Sequence, residues 1–344
     1  MADDKISVGL MGFGRIGRNV FRQLQDHPRI ETAAIVDVAE PKALVYLLKF
    51  DTIHGRFPKP VRLADSTLYV EDQPIPILPD REPGEADWGA LGVEVVVQAT
   101  GKYRSAEWCR RHLEAGAKRV ILCSTPEDPN DMDTLLVGVN DHVLDPRDVM
   151  VALGSNTSNA LAPVLKILDE SFRVERAMFT TVHAFTNEQR LADVPGSDLR
   201  SSRSAAENII PMETNSPEII ENVLPQFKGK ISGMALNVPV PDGSSVDLVT
   251  ILGKEATTES VNKTVQSAAA SGYSTILEYV EDPIVSSDVI GNPHSAIFDG
   301  LATLVMDRAM VKTVIWFDNG WGYAARAVEV VERLAAFDRE GVST

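Results

Sequence analysis

Gly12-Phe13-Gly14-Arg15-Ile16-Gly17 is the first string along the chain whose spacing could do chemistry. It follows an apolar run, Ile6 to Met11, that reads as a buried strand. It opens a segment in which Ile16, Val20 and Leu24 recur on one helix face. Glycines at these positions let the chain turn sharply, let a pyrophosphate approach the main chain, and let helix and strand pack closely. The helix start would add N–H groups and a partial positive charge. Asp37, twenty residues after Gly17 at the end of a second apolar strand, is placed to accept hydrogen bonds from an adenosine ribose. Glycines also make ordinary turns, and a lone aspartate also sits in solvated ones. Strand, loop, helix and acid together specify a dinucleotide site. A carboxylate there repels the 2′-phosphate of NADP, so NAD is the expected cofactor.

Other reactive residue types are sparse. Cys109 and Cys123 are the two cysteines, fourteen apart and in no metal-binding or redox spacing. A reduced, cytoplasmic protein without structural disulfides or zinc is the expectation. His27, His54, His142 and His294 are too scattered to suggest a metal site, and no metal is expected. Arg110-Arg111-His112 reads as a helix face. The 33 Lys+Arg against 49 Asp+Glu give a formal charge of −16, which argues against nonspecific binding to nucleic acid or to an anionic membrane. No run of about 18 apolar residues suggests a membrane span, and the opening residues lack the pattern of a secretory signal.

The elements that must position these residues alternate in the first half. Glu31 to Val36 reads as a strand, Pro41 to Lys49 as a helix, Glu94 to Gln98 as a valine-rich strand, Ser105 to Glu114 as a helix and Arg119 to Cys123 as a strand. Continuously apolar strands alternating with helices indicate a parallel sheet covered on both faces. Asp72 to Glu85, with Pro74, Pro76, Pro79 and Pro83, is the most loop-like stretch. Beyond residue 155 the pattern changes. Asn156 to Leu168 is helical, and β-branched runs follow at Ala177–Val182, Ile231–Val238, Ser245–Leu252 and Val311–Phe317. These predict a mainly antiparallel sheet with helices on one face, and Trp321 to Leu334 a final helix.

Several longer strings resemble the glyceraldehyde-3-phosphate dehydrogenase family, in collinear order over essentially the whole chain. They are the opening Gly-Phe-Gly-Arg-Ile-Gly-Arg, Leu47 to Gly55, Ala99-Thr100-Gly101, Gly138-Val139-Asn140, Thr180 to Ala184 and Trp316 to Asn319. The resemblance implies an α/β fold: a Rossmann-type parallel-sheet domain plus an α+β catalytic domain with a mainly antiparallel sheet. The expected division is residues 1–155 for NAD binding, completed by a C-terminal helix at 319–344, and 156–318 for substrate chemistry. A homotetramer and a small-molecule substrate are implied too. Carried over position by position, the nucleotide falls on Gly12, Gly14, Arg15, Ile16, Gly17, Asp37, Arg81 and Thr100, and the nicotinamide carboxamide on Asn319. Val194-Pro195 resembles the Leu-Pro of NAD-using members.

The chemical half departs from the family. Its Ser-Cys-Thr-Thr-Asn-Cys segment, whose first cysteine attacks the aldehyde, corresponds here to Ser155-Asn156-Thr157-Ser158-Asn159-Ala160. An amide does not ionise at any relevant pH and is a poor nucleophile, so no thioester forms at this position. The family's substrate-phosphate arginine corresponds to Asn237. Its Thr-Gly-Ala-Ala-Lys segment corresponds to Thr214-Asn215-Ser216-Pro217-Glu218, and its Arg-Arg-Ala-Arg run is reduced to Arg200-Ser201-Ser202-Arg203. Each lost charge-assisted phosphate contact costs ~1.5–3 kcal/mol.

His183 corresponds to the family's catalytic histidine, and its imidazole suits a general base near neutral pH. Thr186 corresponds to a substrate-phosphate threonine, and Ser155, Thr157 and Thr214 to inorganic-phosphate hydroxyls. The expected function is a thiol-free, NAD-dependent hydride transfer on a small aldehyde or alcohol, with His183 as base and Asn156 as an oxyanion donor. The alternative is an NAD-binding pseudoenzyme with a regulatory or assembly role. Ordinary glyceraldehyde-3-phosphate dehydrogenation would need another thiol, for which Cys123 at a strand end is the candidate.

Overall fold

The computed structural model describes residues 5–339 apart from positions 26, 80 and 188. The chain divides into two compact units, one of Met1–Leu135, His142–Gly154 and Ala324–Thr344, the other of Leu136–Asp141 and Ser155–Tyr323.

The first unit runs β1 (Ile6–Met11), α1 (Arg15–Leu24), β2 (Ile30–Asp37), α2 (Pro41–Lys49), a short β3/β4 ribbon (Phe50–Asp51, Gly55–Arg56), β5 (Val61–Ala64), β6 (Thr67–Val70), β7 (Gln73–Pro79), β8 (Val95–Gln98), α3 (Ala106–Glu114), β9 (Arg119–Leu122) and β10 (Met150–Ala152). Its main sheet has the order β10-β9-β8-β1-β2-β7-β6-β5. Pairing is parallel from β10 through β7 and antiparallel over β7-β6-β5. Valines and isoleucines fill β1, β8 and β9 because both faces of a helix-covered sheet are dry.

The loop expected over Asp72–Glu85 is corrected: its first half is strand, β7 over Gln73–Pro79. Ile75 and Ile77 are buried on one side of that strand, and Ile77 N–H donates to the Ser66 carbonyl at 2.7 Å. Pro74 and Pro76 alternate with them, so their missing N–H groups face the opposite edge. There β2 joins only from Ile77 onward. Proline is tolerated because the ladder bond it would remove is not yet required.

A buried polar chain crosses this unit. Trp88 Nε1–H donates to His112 Nδ1 at 2.9 Å, and His112 Nε2 faces Gln98 Oε1 at 3.3 Å. The ring is therefore the neutral Nε2–H tautomer, and burial pushes its pKa down to about 4. The unfolded chain, with a histidine near 6.5, binds the extra proton first, so stability is full above that pH and falls as pH drops through the folded value. Urea unfolding followed by tryptophan fluorescence is expected to show a loss of about 2–3 kcal/mol from this group between pH 7 and pH 4.5. His112→Gln should flatten that component; an unchanged pH slope would refute the assignment.

The second unit runs α4 (Asn156–Phe172), β11 (Val174–Ala184), β12 (Ile210–Met212), α5 (Ser216–Val223), β13 (Ile231–Val238), β14 (Ser244–Leu252), α6 (Thr258–Ala269), β15 (Leu277–Val280), β16 (Ala296–Asp299), β17 (Leu304–Met306) and β18 (Met310–Phe317). The last helix, α7 (Trp321–Arg339), belongs to the first unit from Ala324 onward. The sheet order is β12-β13-β11-β14-β18-β16-β15, with β17 beside β18. It is mainly antiparallel, and the β11/β13 and β15/β16 pairs are parallel. α4 is buried along most of its length, and Leu161, Leu165 and Leu168 pack in one apolar core with Phe179, Leu248 and Ile315 of the sheet. That packing holds the first residue of α4 in place.

Candidate functional site

Four neighbouring strands of the first unit end on the same edge. The glycine loop leaves β1, Asp37 is the last residue of β2, Thr100 follows β8, and Arg81 follows β7. Strand order reverses at β1, and the crevice outside such strand ends is where doubly wound sheets bind ligands. Asp37 Oδ2 accepts the Phe13 N–H at 2.6 Å and Oδ1 the Ala39 N–H at 2.9 Å, tying the end of β2 to the glycine loop. A carboxylate with about four acceptor positions keeps room for hydroxyl donors as well. The Thr100 hydroxyl is committed to its own loop, accepting from the Lys102 N–H at 3.3 Å.

The two inner glycines serve different ends. A Cβ on Gly17 would lie 2.0 Å from the Gly12 carbonyl oxygen, so this position is closed by the protein itself. A Cβ on Gly14 would meet nothing within 4 Å. Gly14 is also the N-cap of α1, and no side chain caps that end. Open space against a helix start with first-turn N–H donors fits the pyrophosphate of a dinucleotide.

In the second unit a cleft of about 340 Å³ is lined by residues that include Ser155, Asn156, Thr157, His183, Thr186, Thr214 and Asn237. All substrate-side residues expected from sequence therefore come together, and Gln189, Glu213 and Ser216 join them. Asn156 is the first residue of α4, after the N-cap Ser155, whose hydroxyl forms a reciprocal capping box with Ser158. His183 lies near the end of β11, in register with Asn237 on β13.

Hydrogen bonds fix the amide of Asn156. Its Nδ2 donates to the Asn319 carbonyl at 3.1 Å, and its Oδ1 accepts the Thr157 N–H at 2.8 Å. Turning the amide over would set donor against donor and acceptor against acceptor. The oxygen therefore faces His183, at 3.5 Å from Nε2. His183 Nδ1 lies 2.6 Å from the Ala184 carbonyl, to which it donates, so in the neutral ring the lone pair sits on Nε2. One of the two Nδ2 hydrogens of Asn156 is taken by the Asn319 carbonyl, so an oxyanion-donor role would fall to the other.

Ser244 extends the arrangement. Its hydroxyl accepts the Ala184 N–H at 3.0 Å and donates to Asn319 Oδ1 at 2.6 Å. Asn319 is buried, and its Nδ2 has no hydrogen-bond partner among the described residues. An orphaned buried donor costs about 1–3 kcal/mol, and a bound carboxamide oxygen would satisfy it. Ser244 and Gln189 carry no sequence signal. Ser216 does, because Asn215-Ser216-Pro217-Glu218 is a helix-start pattern.

Both cysteines lie in the first unit and are buried. Burial pushes the Cys109 thiol up to about 12 and that of Cys123 equally far, so both stay protonated at neutral pH. Among the described residues no helix is long and apolar enough to cross a membrane.

Strand ends gathered in this way make the first unit a Rossmann-type dinucleotide-binding fold, and the histidine-centred cleft lies in the second, α+β unit. Residues 6–106 match the family described as "Glyceraldehyde 3-phosphate dehydrogenase, NAD binding domain", and residues 155–319 match "Glyceraldehyde 3-phosphate dehydrogenase, C-terminal domain". The chain is 43% identical over 333 residues to glyceraldehyde-3-phosphate dehydrogenase 2 of Bacillus subtilis (strain 168), covering 96% of this chain and 97% of that one. It is 44% identical over 332 residues to the glyceraldehyde-3-phosphate dehydrogenase of Geobacillus stearothermophilus, covering 96% and 98%. The chain belongs to the glyceraldehyde-3-phosphate dehydrogenase family, it is an NAD-dependent oxidoreductase, and NAD is its cofactor.

Proposed function

We propose that this chain oxidises or reduces a small aldehyde or alcohol without a covalent thiol intermediate. The first unit holds NAD through Gly12, Gly14, Arg15, Ile16, Gly17, Asp37, Arg81 and Thr100, and the orphaned amide of Asn319 receives the nicotinamide carboxamide. Bound NAD supplies a two-electron acceptor. His183 Nε2 takes the proton of the substrate hydroxyl, from an aldehyde hydrate that leaves as an acid or from an alcohol that leaves as a carbonyl. Asn156 Oδ1 then faces the new Nε2–H and accepts from it, while Ala184 holds Nδ1–H. Asn156 is thus a positioning residue for the imidazolium. General-base catalysis of this kind is worth about 10²–10⁴-fold.

The observation that carries this reading is the locked Asn156 amide at the head of α4, facing His183. Assembly as a homotetramer is part of the proposal. Its support is an exposed apolar face on the second sheet, where the register brings Met178, Met234, Met306, Met310 and Leu304 to one side. The test is NADH formation across an aldehyde and alcohol panel, before and after treatment with iodoacetamide. Turnover is expected to survive alkylation, because both thiols are buried and protonated. Loss of turnover together with a label on Cys123 would return the chain to thiol chemistry. Tight NAD binding with no turnover on any substrate would favour a regulatory role.

A further inference from the structure

The cleft around His183 offers hydroxyls and amides from Ser155, Thr186, Gln189, Thr214, Ser216 and Asn237. Among its described lining residues there is no lysine or arginine, and the one charged side chain is the Glu213 carboxylate. Two helices begin here, which would ordinarily favour an anion. At both starts first-turn N–H groups are taken by the protein's own side chains.

At the start of α4, the Thr157 N–H donates to Asn156 Oδ1 at 2.8 Å and the Ser158 N–H to Ser155 Oγ at 3.0 Å. At the start of α5, the Ser216 N–H donates to Thr214 Oγ1 at 3.2 Å. Pro217 has no N–H to offer, and Glu218 adds a carboxylate to the same first turn. The hydroxyls of Thr214, Ser216, Ser155 and Ser158 form one chain, with steps of 3.1, 3.2 and 3.1 Å. Hydroxyls that both donate and accept suit other hydroxyls, whereas a phosphate brings only acceptors and up to two negative charges. Asn237 stands beside His183 in register on the next strand, about 4.8 Å away along the ladder. Its neutral amide therefore meets the same small molecule that meets the base.

We infer that this cleft takes a small uncharged hydroxyaldehyde or polyol and discriminates against phosphate esters. The inference rests on the dehydrogenase reading of the same site and specifies its substrate class. Binding of glyceraldehyde, glyceraldehyde 3-phosphate and inorganic phosphate to the NAD-loaded protein tests it, measured by calorimetry with turnover followed in parallel. Glyceraldehyde is expected to bind at least about tenfold more tightly than its phosphate, a single missing charge-assisted contact being worth about that factor. Glu213→Gln, at an exposed position, should narrow the ratio, and Asn237→Arg should reverse it in favour of the ester. Equal or tighter binding of the phosphate ester, no binding of glyceraldehyde, or a ratio that neither variant moves would overturn the inference. Binding in the expected order without NADH formation would leave the substrate class standing and remove the dehydrogenase reading instead.

Discussion

Replacing His183 by glutamine is expected to lower kcat by about 10²–10⁴-fold while leaving the dissociation constant for NADH within about twofold. Glutamine keeps a side chain of similar reach but cannot take a proton at neutral pH. It removes the base and preserves much of the packing beside Phe317, whose ring lies 6.1 Å from the imidazole. A loss in kcat with unchanged cofactor affinity identifies an interaction made in the transition state. Comparable kcat in the variant would show that the proton leaves by another route, and Asn156 would then have no imidazolium to orient. Steady-state rates and fluorescence titration with NADH separate the two outcomes.

Alanine at the two inner glycines of the first loop is expected to divide packing from ligand binding. Gly17→Ala forces its methyl against the Gly12 carbonyl oxygen at 2.0 Å, and should destabilise the first unit by about 1–3 kcal/mol and weaken NAD as well. Gly14→Ala places its methyl where no protein atom lies within 4 Å. Its melting temperature without ligand should match the parent's, while the NAD dissociation constant rises at least about tenfold. Thermal melts with and without NAD decide the matter. A Gly14→Ala protein that binds NAD normally would mean that the pyrophosphate does not approach this part of the loop.

Much of the cofactor side is legible in the residues because it is local. A strand, three glycines, a helix start and an acid twenty residues on need no distant partner to be recognised. The sheet then brings Asp37 and Phe13 together through adjacent strands that any parallel reading would pair. β7 is hidden for the opposite reason. Its prolines signal a loop, and only the neighbour's register explains why the missing N–H groups of Pro74 and Pro76 do no harm. The direction of β13 relative to β11 is equally hidden, since alternation of side chains is the same for parallel and antiparallel neighbours. Yet that pairing sets Asn237 beside His183. The role of Asn156 needs coordinates most of all. Which end of its amide faces the histidine is decided by the Asn319 carbonyl, 163 positions away along the chain.

The bonds around the histidine form a linked chain that closes into a ring once Nε2 is protonated. His183 holds Ala184, Ala184 holds Ser244, Ser244 holds Asn319, Asn319 holds Asn156, and Asn156 returns to the imidazole. A circuit of this kind works as one mechanical part, so damage to any two members should not add. A cysteine placed at position 156 would sever the circuit on the Asn319 side and free the Asn319 carbonyl and the imidazole from one shared part.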